Sequence, residues 1–169
     1  EFLLRNPHLR GKDIETTRHA CEKFRHIPTT IINFVEGTRF TEEKREATRS
    51  RHRHLMPPKA AGLAFTLAAM GEHFDSLINV TIRYPDNSET PFKDFLMGRM
   101  KRIQVRIEEL PVDEALVGDY FNDKQFKRGF QAWLNQRWQE KDEVLEGWQR
   151  AQEPAAVAAR ESARASSGN

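Results

Sequence analysis

Thr30-Ile31-Ile32-Asn33-Phe34-Val35 is an apolar, β-branched run, and it stops at Glu36-Gly37-Thr38-Arg39. A run of that length and composition reads as a buried strand. Polarity rises at once after it. A flexible turn and a fixed cation therefore stand at the strand's carboxyl end, where open α/β sheets place their ligands. Gly37 permits positive φ and close backbone approach. Thr38 offers a hydroxyl and an N–H. Arg39 offers a planar fork of donors suited to phosphate. Glu36 cannot bind phosphate by charge, which leaves it two uses: pairing with Arg39, or accepting a hydrogen bond from a substrate hydroxyl. A plain strand-ending turn with a surface ion pair competes with both.

The surrounding pattern argues for an α/β fold. Asp13 is a favourable N-cap for a helix to about Arg25, with Thr17, Ala20, Cys21 and Phe24 on one face, and Pro28 ends it. Helix followed by strand, repeated, predicts a partly parallel sheet flanked by helices. Residues 41–58 read as a basic loop with one helical turn at 42–48. Lys59 opens a helix whose buried stripe is Ala60, Leu63, Ala64, Leu67 and Ala68, with Gly71 as its C′ residue. Leu77 to Tyr84 is a strand. Residues 91–97 form a short helix around Phe92, Phe95 and Leu96, more naturally core than lipid-facing. Arg102 to Glu108 alternates, with Ile103, Val105 and Ile107 inward, and Pro111 closes it. Helix signals return at Asp113 and at Asp123. Phe126, Phe130, Trp133, Leu134, Leu145 and Trp148 then share one side of a long amphipathic helix. Packing on the domain fits this helix better than the membrane interface, because its polar face mixes acids with cations. Residues 151–169 hold no large apolar residue beyond Val157, and read as a disordered tail.

Composition excludes several functions. The 169 residues carry 27 basic and 25 acidic side chains, so a net charge of +2 predicts no general polyanion binding. Between Arg39 and Lys59, however, lie Arg39, Lys44, Arg45, Arg49, Arg51, Arg53 and Lys59 with His52 and His54, against Glu42, Glu43 and Glu46. That segment suits phosphates, although a solvated loop would look the same. It holds no aromatic residue from 41 to 59, hence no stacking platform for nucleic acid. Cys21 is the lone cysteine and fits a reducing compartment, with a packing role on its helix. There is no zinc spacing, P-loop or G-x-G-x-x-G, and metal sites are expected to be none. No stretch reaches the ~20 apolar residues needed to span a bilayer.

Several segments, taken in order, resemble the glycerolipid acyltransferases of the PlsC type, which act on lysophosphatidic acid and other lysophospholipids. Phe34-Val35-Glu36-Gly37-Thr38-Arg39-Phe40-Thr41, followed by Lys44, resembles the family's third block. His54-Leu55-Met56-Pro57-Pro58-Lys59-Ala60-Ala61-Gly62 resembles its hLLxPKxxG segment. Asn79-Val80-Thr81-Ile82-Arg83-Tyr84-Pro85 resembles the fourth-block strand, and Phe2-Leu3-Leu4-Arg5 the second block. The helix bearing Trp138, Lys141 and Asp142 is similar to that of the branch containing lysocardiolipin-type and bacterial probable acyltransferases.

The resemblance implies a 1-acylglycerol-3-phosphate O-acyltransferase-like enzyme at the cytoplasmic face of the inner membrane. Its acceptor is a lysophospholipid. Its donor is an acyl thioester, acyl-CoA or acyl carrier protein, serving as co-substrate with no bound cofactor. Residues 1–150 then form the C-terminal part of the acyltransferase domain. Substrate-binding residues by this resemblance are Glu36, Gly37, Thr38 and Arg39, with Lys59 and Arg5 beside them. The family's catalytic N-H-x4-D block is expected upstream, since the chain opens on Glu1 at the second block. His8 and Asp13 do form an H-x4-D, but Pro7 replaces the Asn and only 28 residues separate His8 from Glu36. That pair is read as a chance match, and the alternative to an enzyme is a non-catalytic module binding phosphate or anionic lipid headgroups.

Overall fold

The protein is described by a computed structural model at residue 19 and over residues 27–86 and 91–166. Arg5, His8, Asp13, Cys21 and all but His19 of the expected 13–25 helix lie outside the described residues. The chain runs through α1 (Glu42–Thr48), α2 (Ala60–Met70), β1 (Ser76–Arg83), α3 (Pro91–Leu96), β2 (Gln104–Pro111) and α4 (Lys124–Ser166), with 3-10 turns at Gly71–His73 and Glu114–Leu116.

Local chemistry explains each boundary. Thr41 caps α1 by accepting from Lys44 N at 3.2 Å. Asp113 caps the second 3-10 turn through Ala115 N at 3.1 Å. Asp123 starts α4 by accepting from Gln125 N and Phe126 N, at 2.8 and 3.0 Å. Gly71 is not a left-handed cap, as expected of it; it keeps helical φ and passes α2 into the 3-10 turn. Its need for glycine is steric instead, since a Cβ there would meet Val117 Cγ2 at 2.5 Å.

The core forms where α2 crosses the first half of α4. Ala60, Ala64 and Leu67 of α2 meet Phe130, Leu134 and Trp138 of α4, and Leu116 and Tyr120 close one end. The small residues of α2 let the backbones approach while the aromatic residues fill the space. Tyr120, Phe126, Phe130 and Trp133 form a chain of ring contacts with centroids 5.5 to 5.9 Å apart. Packing of the amphipathic helix on the domain is therefore observed. Its backbone also continues to Ser166, across most of the stretch expected as a tail, where an Ala- and Arg-rich composition has high intrinsic helix propensity.

The sheet differs from expectation. Among the described residues it has two strands, β1 and β2, paired antiparallel with Val80 opposite Ile107 and Ile82 opposite Val105. Thr30–Val35 forms no ladder, and Phe34 is 83% exposed. A high strand propensity is realised only when a neighbour takes up the backbone hydrogen bonds, and β1 offers this run none. An open groove of about 1170 Å³ lies instead between residues 27–35, β1 and α4.

The inward assignment of Ile103, Val105 and Ile107 is also corrected. All three are exposed, Ile107 at 68%, as are Ile78, Val80 and Ile82 on the same side of the ribbon. The side bearing Leu77, Asn79 and Thr81 is the one turned toward the protein, with Thr81 buried. Phe92, Phe95 and Leu96 of α3, expected in the core, are exposed, and in α3 only Asp94 is buried.

These burials predict a contrast. Phe130→Ala, at a site 2% exposed, should cost about 3–5 kcal/mol of unfolding free energy. Phe95→Ser, at 60% exposure, should stay within about 0.5 kcal/mol. Urea unfolding followed by tryptophan fluorescence measures both.

Candidate functional site

The Glu36–Arg39 turn is built by two backbone bonds. Gly37 N donates to Phe34 O at 2.9 Å and tightens the bend. Lys59 N donates to Val35 O, also at 2.9 Å, and ties the bend to the start of α2. Gly37 sits at φ +66°, where other residues are strained, and a Cβ there would lie 3.2 Å from Lys59 Nζ. Glycine at this position thus serves both the turn and the lysine lying over it.

Three cations gather around the bend. Lys44 Nζ donates to Thr38 Oγ1 at 2.9 Å and reaches Arg39 O at 3.4 Å. Lys59 lies against Gly37. Arg39 is exposed, and its guanidinium has no hydrogen bond or ion pair to any described residue. Donors on an exposed bend, near the N-terminus of an 11-residue helix, make a favourable environment for an anion.

Glu36 behaves differently from its neighbours. It is half-buried, accepts from Trp138 Nε1 at 3.3 Å and from the backbone N–H of Met56, and makes no ion pair with Arg39. Burial raises its carboxyl above the usual value, opposed by these two donors and by the nearby charges of Lys141 and His52. Lys141 is shifted the opposite way. Burial lowers its pKa, while Glu36 and Glu108 act to raise it. Its ammonium sits 4.7 Å from the Trp138 ring centroid and donates to Val80 O at 2.9 Å.

The loop between Thr48 and Lys59 is pinned by α4. Both carboxylate oxygens of Asp142 accept from the backbone, Oδ2 from Arg53 N at 2.8 Å and Oδ1 from His54 N at 2.7 Å. Glu146 takes Arg53 Nη1 at 2.7 Å, His54 Nε2 at 2.9 Å and Arg150 Nε at 2.9 Å. These partners hold the Glu146 carboxyl at about 2. The basic segment is therefore divided. Arg53 and His54 are paired to α4 and Arg45 to Glu42, while Arg39, Lys44 and Lys59 remain around the bend.

Glu36, Gly37, Thr38, Arg39 and Lys59 thus come together, and Arg5 falls outside the described residues. Sequence reasoning placed Lys44 in the phosphate-suiting segment and Trp138, Lys141 and Asp142 in a family-like helix, but it joined none of the last three, nor Glu146, to the bend. The signal was present, for 138, 141, 142 and 146 follow the i, i+3, i+4, i+8 spacing of one helix face. Lysine and two acids on that face beside Leu145 are out of place for simple packing.

Sequence comparisons find acyltransferases among the relatives of this chain. Lysocardiolipin acyltransferase 1 of Mus musculus is 25% identical over 131 residues, which are 71% of this chain and 33% of that protein. An uncharacterized acyltransferase of Saccharomyces cerevisiae is 31% identical over 140 residues, 70% of this chain and 33% of its own length. Human 1-acyl-sn-glycerol-3-phosphate acyltransferase delta is 24% identical over 149 residues, 82% and 37% respectively. The chain spans about a third of the length of these relatives. No protein-family model and no solved structure matches it.

The Glu146 pairings predict a pH dependence. A carboxyl near 4.5 when unfolded and about 2 when folded contributes stability that is fully present above 4.5 and is lost as pH falls toward 2. Thermal melting of the wild type and Glu146→Gln should therefore differ at pH 6, and the difference should close by pH 2. The chain is a distant homologue of lysocardiolipin and 1-acylglycerol-3-phosphate acyltransferases.

Proposed function

We propose that this chain holds the acceptor-phosphate side of a lysophospholipid acyltransferase site. The observation that carries the reading is the gathering of Arg39, Lys44 and Lys59 around one glycine bend, where Arg39 keeps an unengaged guanidinium among the described residues. The acceptor is 1-acylglycerol 3-phosphate or a related lysophospholipid. Its phosphate lies among these cations, with Arg5 as a further donor, and its free hydroxyl is thereby positioned. In the reaction, a His general base removes the hydroxyl proton, the oxygen attacks the thioester carbonyl, and the thiolate leaves and is protonated. The donor is acyl-CoA or an acyl carrier protein. The base belongs to an N-H-x4-D block, which no residue of this chain is assigned to supply; His8 with Asp13 is not it.

The same reading puts the protein at a membrane surface, the cytoplasmic face of the inner membrane. No helix among the described residues is long and apolar enough to cross a membrane. Exposed Phe92, Phe95 and Leu96, with Lys93, Arg99 and Lys101 nearby in sequence, support surface contact with anionic lipid. It also implies that Thr30–Val35 joins a partly parallel sheet. The support is that this run pairs with no strand, and that one edge of β1 has no neighbouring strand among the described residues.

The test is thioester-dependent acyl transfer to 1-acylglycerol 3-phosphate, by this chain and by a form carrying the N-H-x4-D block. Activity is expected in the second form alone. In that form Arg39→Ala should lower kcat/KM by about tenfold to a hundredfold, the value of one charge-assisted phosphate contact, with vesicle binding unchanged. Activity in this chain that His8→Ala abolishes would overturn the assignment of the base. No turnover with any lysophospholipid, alongside salt-sensitive vesicle binding, would leave a headgroup-binding module in its place.

A further inference from the structure

The face of α4 that meets the bend is costly to build. Trp138 and Leu145 are buried on it, yet the chain places Lys141, Asp142 and Glu146 between and beside them. Apolar residues of similar size would pack at least as well, because partly buried charges lose hydration. Asp142 and Glu146 are spent on the 53–54 loop. Trp138 is hydrogen-bonded instead to Glu36, the first residue of the bend, and Lys141 lies over the Trp138 ring.

Each group around Glu36 is held from more than one side. Trp138 Nε1 donates to its carboxylate at 3.3 Å, and the Met56 N–H donates from the loop. Lys141 stands close enough for its charge to act on Glu36, and is itself fixed over the Trp138 ring and by Val80 O of β1, with Glu108 of β2 as the other facing acid. His52 is the remaining titratable neighbour of Glu36. A half-buried carboxylate stripped of these donors would turn toward water. The peptide joining it to Gly37 would rotate, and Thr38 and Arg39 would move with it.

We propose that Trp138 and Lys141 are positioning residues which act through the Glu36 carboxylate to fix the orientation of the Gly37–Arg39 bend. Neither is hydrogen-bonded or ion-paired with Arg39, Lys44 or Lys59. Their effect on acceptor binding rests on the reading above; their effect on the bend does not.

The experiment compares the wild type with Trp138→Phe, Lys141→Met and Lys141→Arg. Trp138→Phe keeps a ring and loses the N–H. Carboxyl 13C NMR follows the titration of Glu36, with Glu36→Gln identifying its signal. Amide NMR follows Gly37, Thr38 and Arg39 in the absence of ligand. Calorimetry measures binding of a soluble short-chain 1-acylglycerol 3-phosphate. Trp138→Phe and Lys141→Met should both move the Glu36 midpoint to higher pH, since each removes a group that favours the carboxylate. Both should shift the three amides. Both should raise the acceptor Kd about tenfold, the worth of one hydrogen bond to a charged group. Lys141→Arg should restore all three signals toward the wild type, which a general packing defect would not allow.

An unchanged Glu36 midpoint and unchanged amides in folded Trp138→Phe and Lys141→Met would overturn the proposal. Moved signals with an unchanged Kd would overturn its consequence for the acceptor. A wild type that binds no acceptor would sink the acceptor reading alone, because the carboxyl and amide signals are read without ligand. If Lys141→Met does not fold, Trp138→Phe decides.

Discussion

The grip of α4 on two irregular segments is the interaction on which the site depends. Loops have no ladder to satisfy their backbone, so a buried or half-buried loop needs side chains to do it. One carboxylate, Asp142, serves two consecutive N–H groups in the loop after α1, across 88 and 89 residues of sequence. One turn further on, Glu146 binds the side chains of the same two residues. One turn back, Trp138 reaches Glu36. A single rigid rod thus sets the relative position of the bend and of the Pro57-Pro58-Lys59 segment that leads into α2, and the Lys59 N–H to Val35 O bond closes the circuit.

This arrangement divides the dense basic segment. Read as charge alone, the segment from Arg39 to Lys59 is one cationic patch. In the fold it is sorted. Cations facing α4 are neutralised by acids and become structural, whereas those on the bend are left with hydroxyl and carbonyl partners or with none. Lys44 shows the distinction well. Its ammonium is held by Thr38 Oγ1 and Arg39 O, both neutral, so its full charge remains available. The raised pKa of Glu36 and the lowered pKa of Lys141 have the same origin, burial beside α4, and their mutual attraction opposes both shifts.

The β ribbon has the opposite character. Its packed side carries Thr81 and Asn79, with Asn79 Nδ2 donating across the pair to Glu108 at 3.1 Å, and its exposed side carries the branched residues Ile78, Val80, Ile82, Val105 and Ile107. Strand periodicity separates two faces but does not say which of them meets the rest of the protein. Tertiary packing makes that choice, with Lys141 of α4 bonded to the backbone of β1.

The sequence by itself determined the local elements and the chemistry of the bend. Helix signals at Asp113 and Asp123, the helical turn at 42–48, the small-residue stripe of α2, the strand before Pro85 and the glycine at positive φ were all legible, because each is decided by a residue and its near neighbours. Grouping Glu36 through Arg39 with Lys59 was legible too, from motif order. Only the tertiary structure decided what lies far apart in the chain. It left Thr30–Val35 without a ladder, since a strand exists only with a partner. It turned Ile103, Val105 and Ile107 outward and exposed the aromatic residues of α3. It gave Glu36 to Trp138 rather than to Arg39, across 102 residues. Hydrogen bonds and burial of that kind depend on which surfaces meet, and no local pattern encodes that.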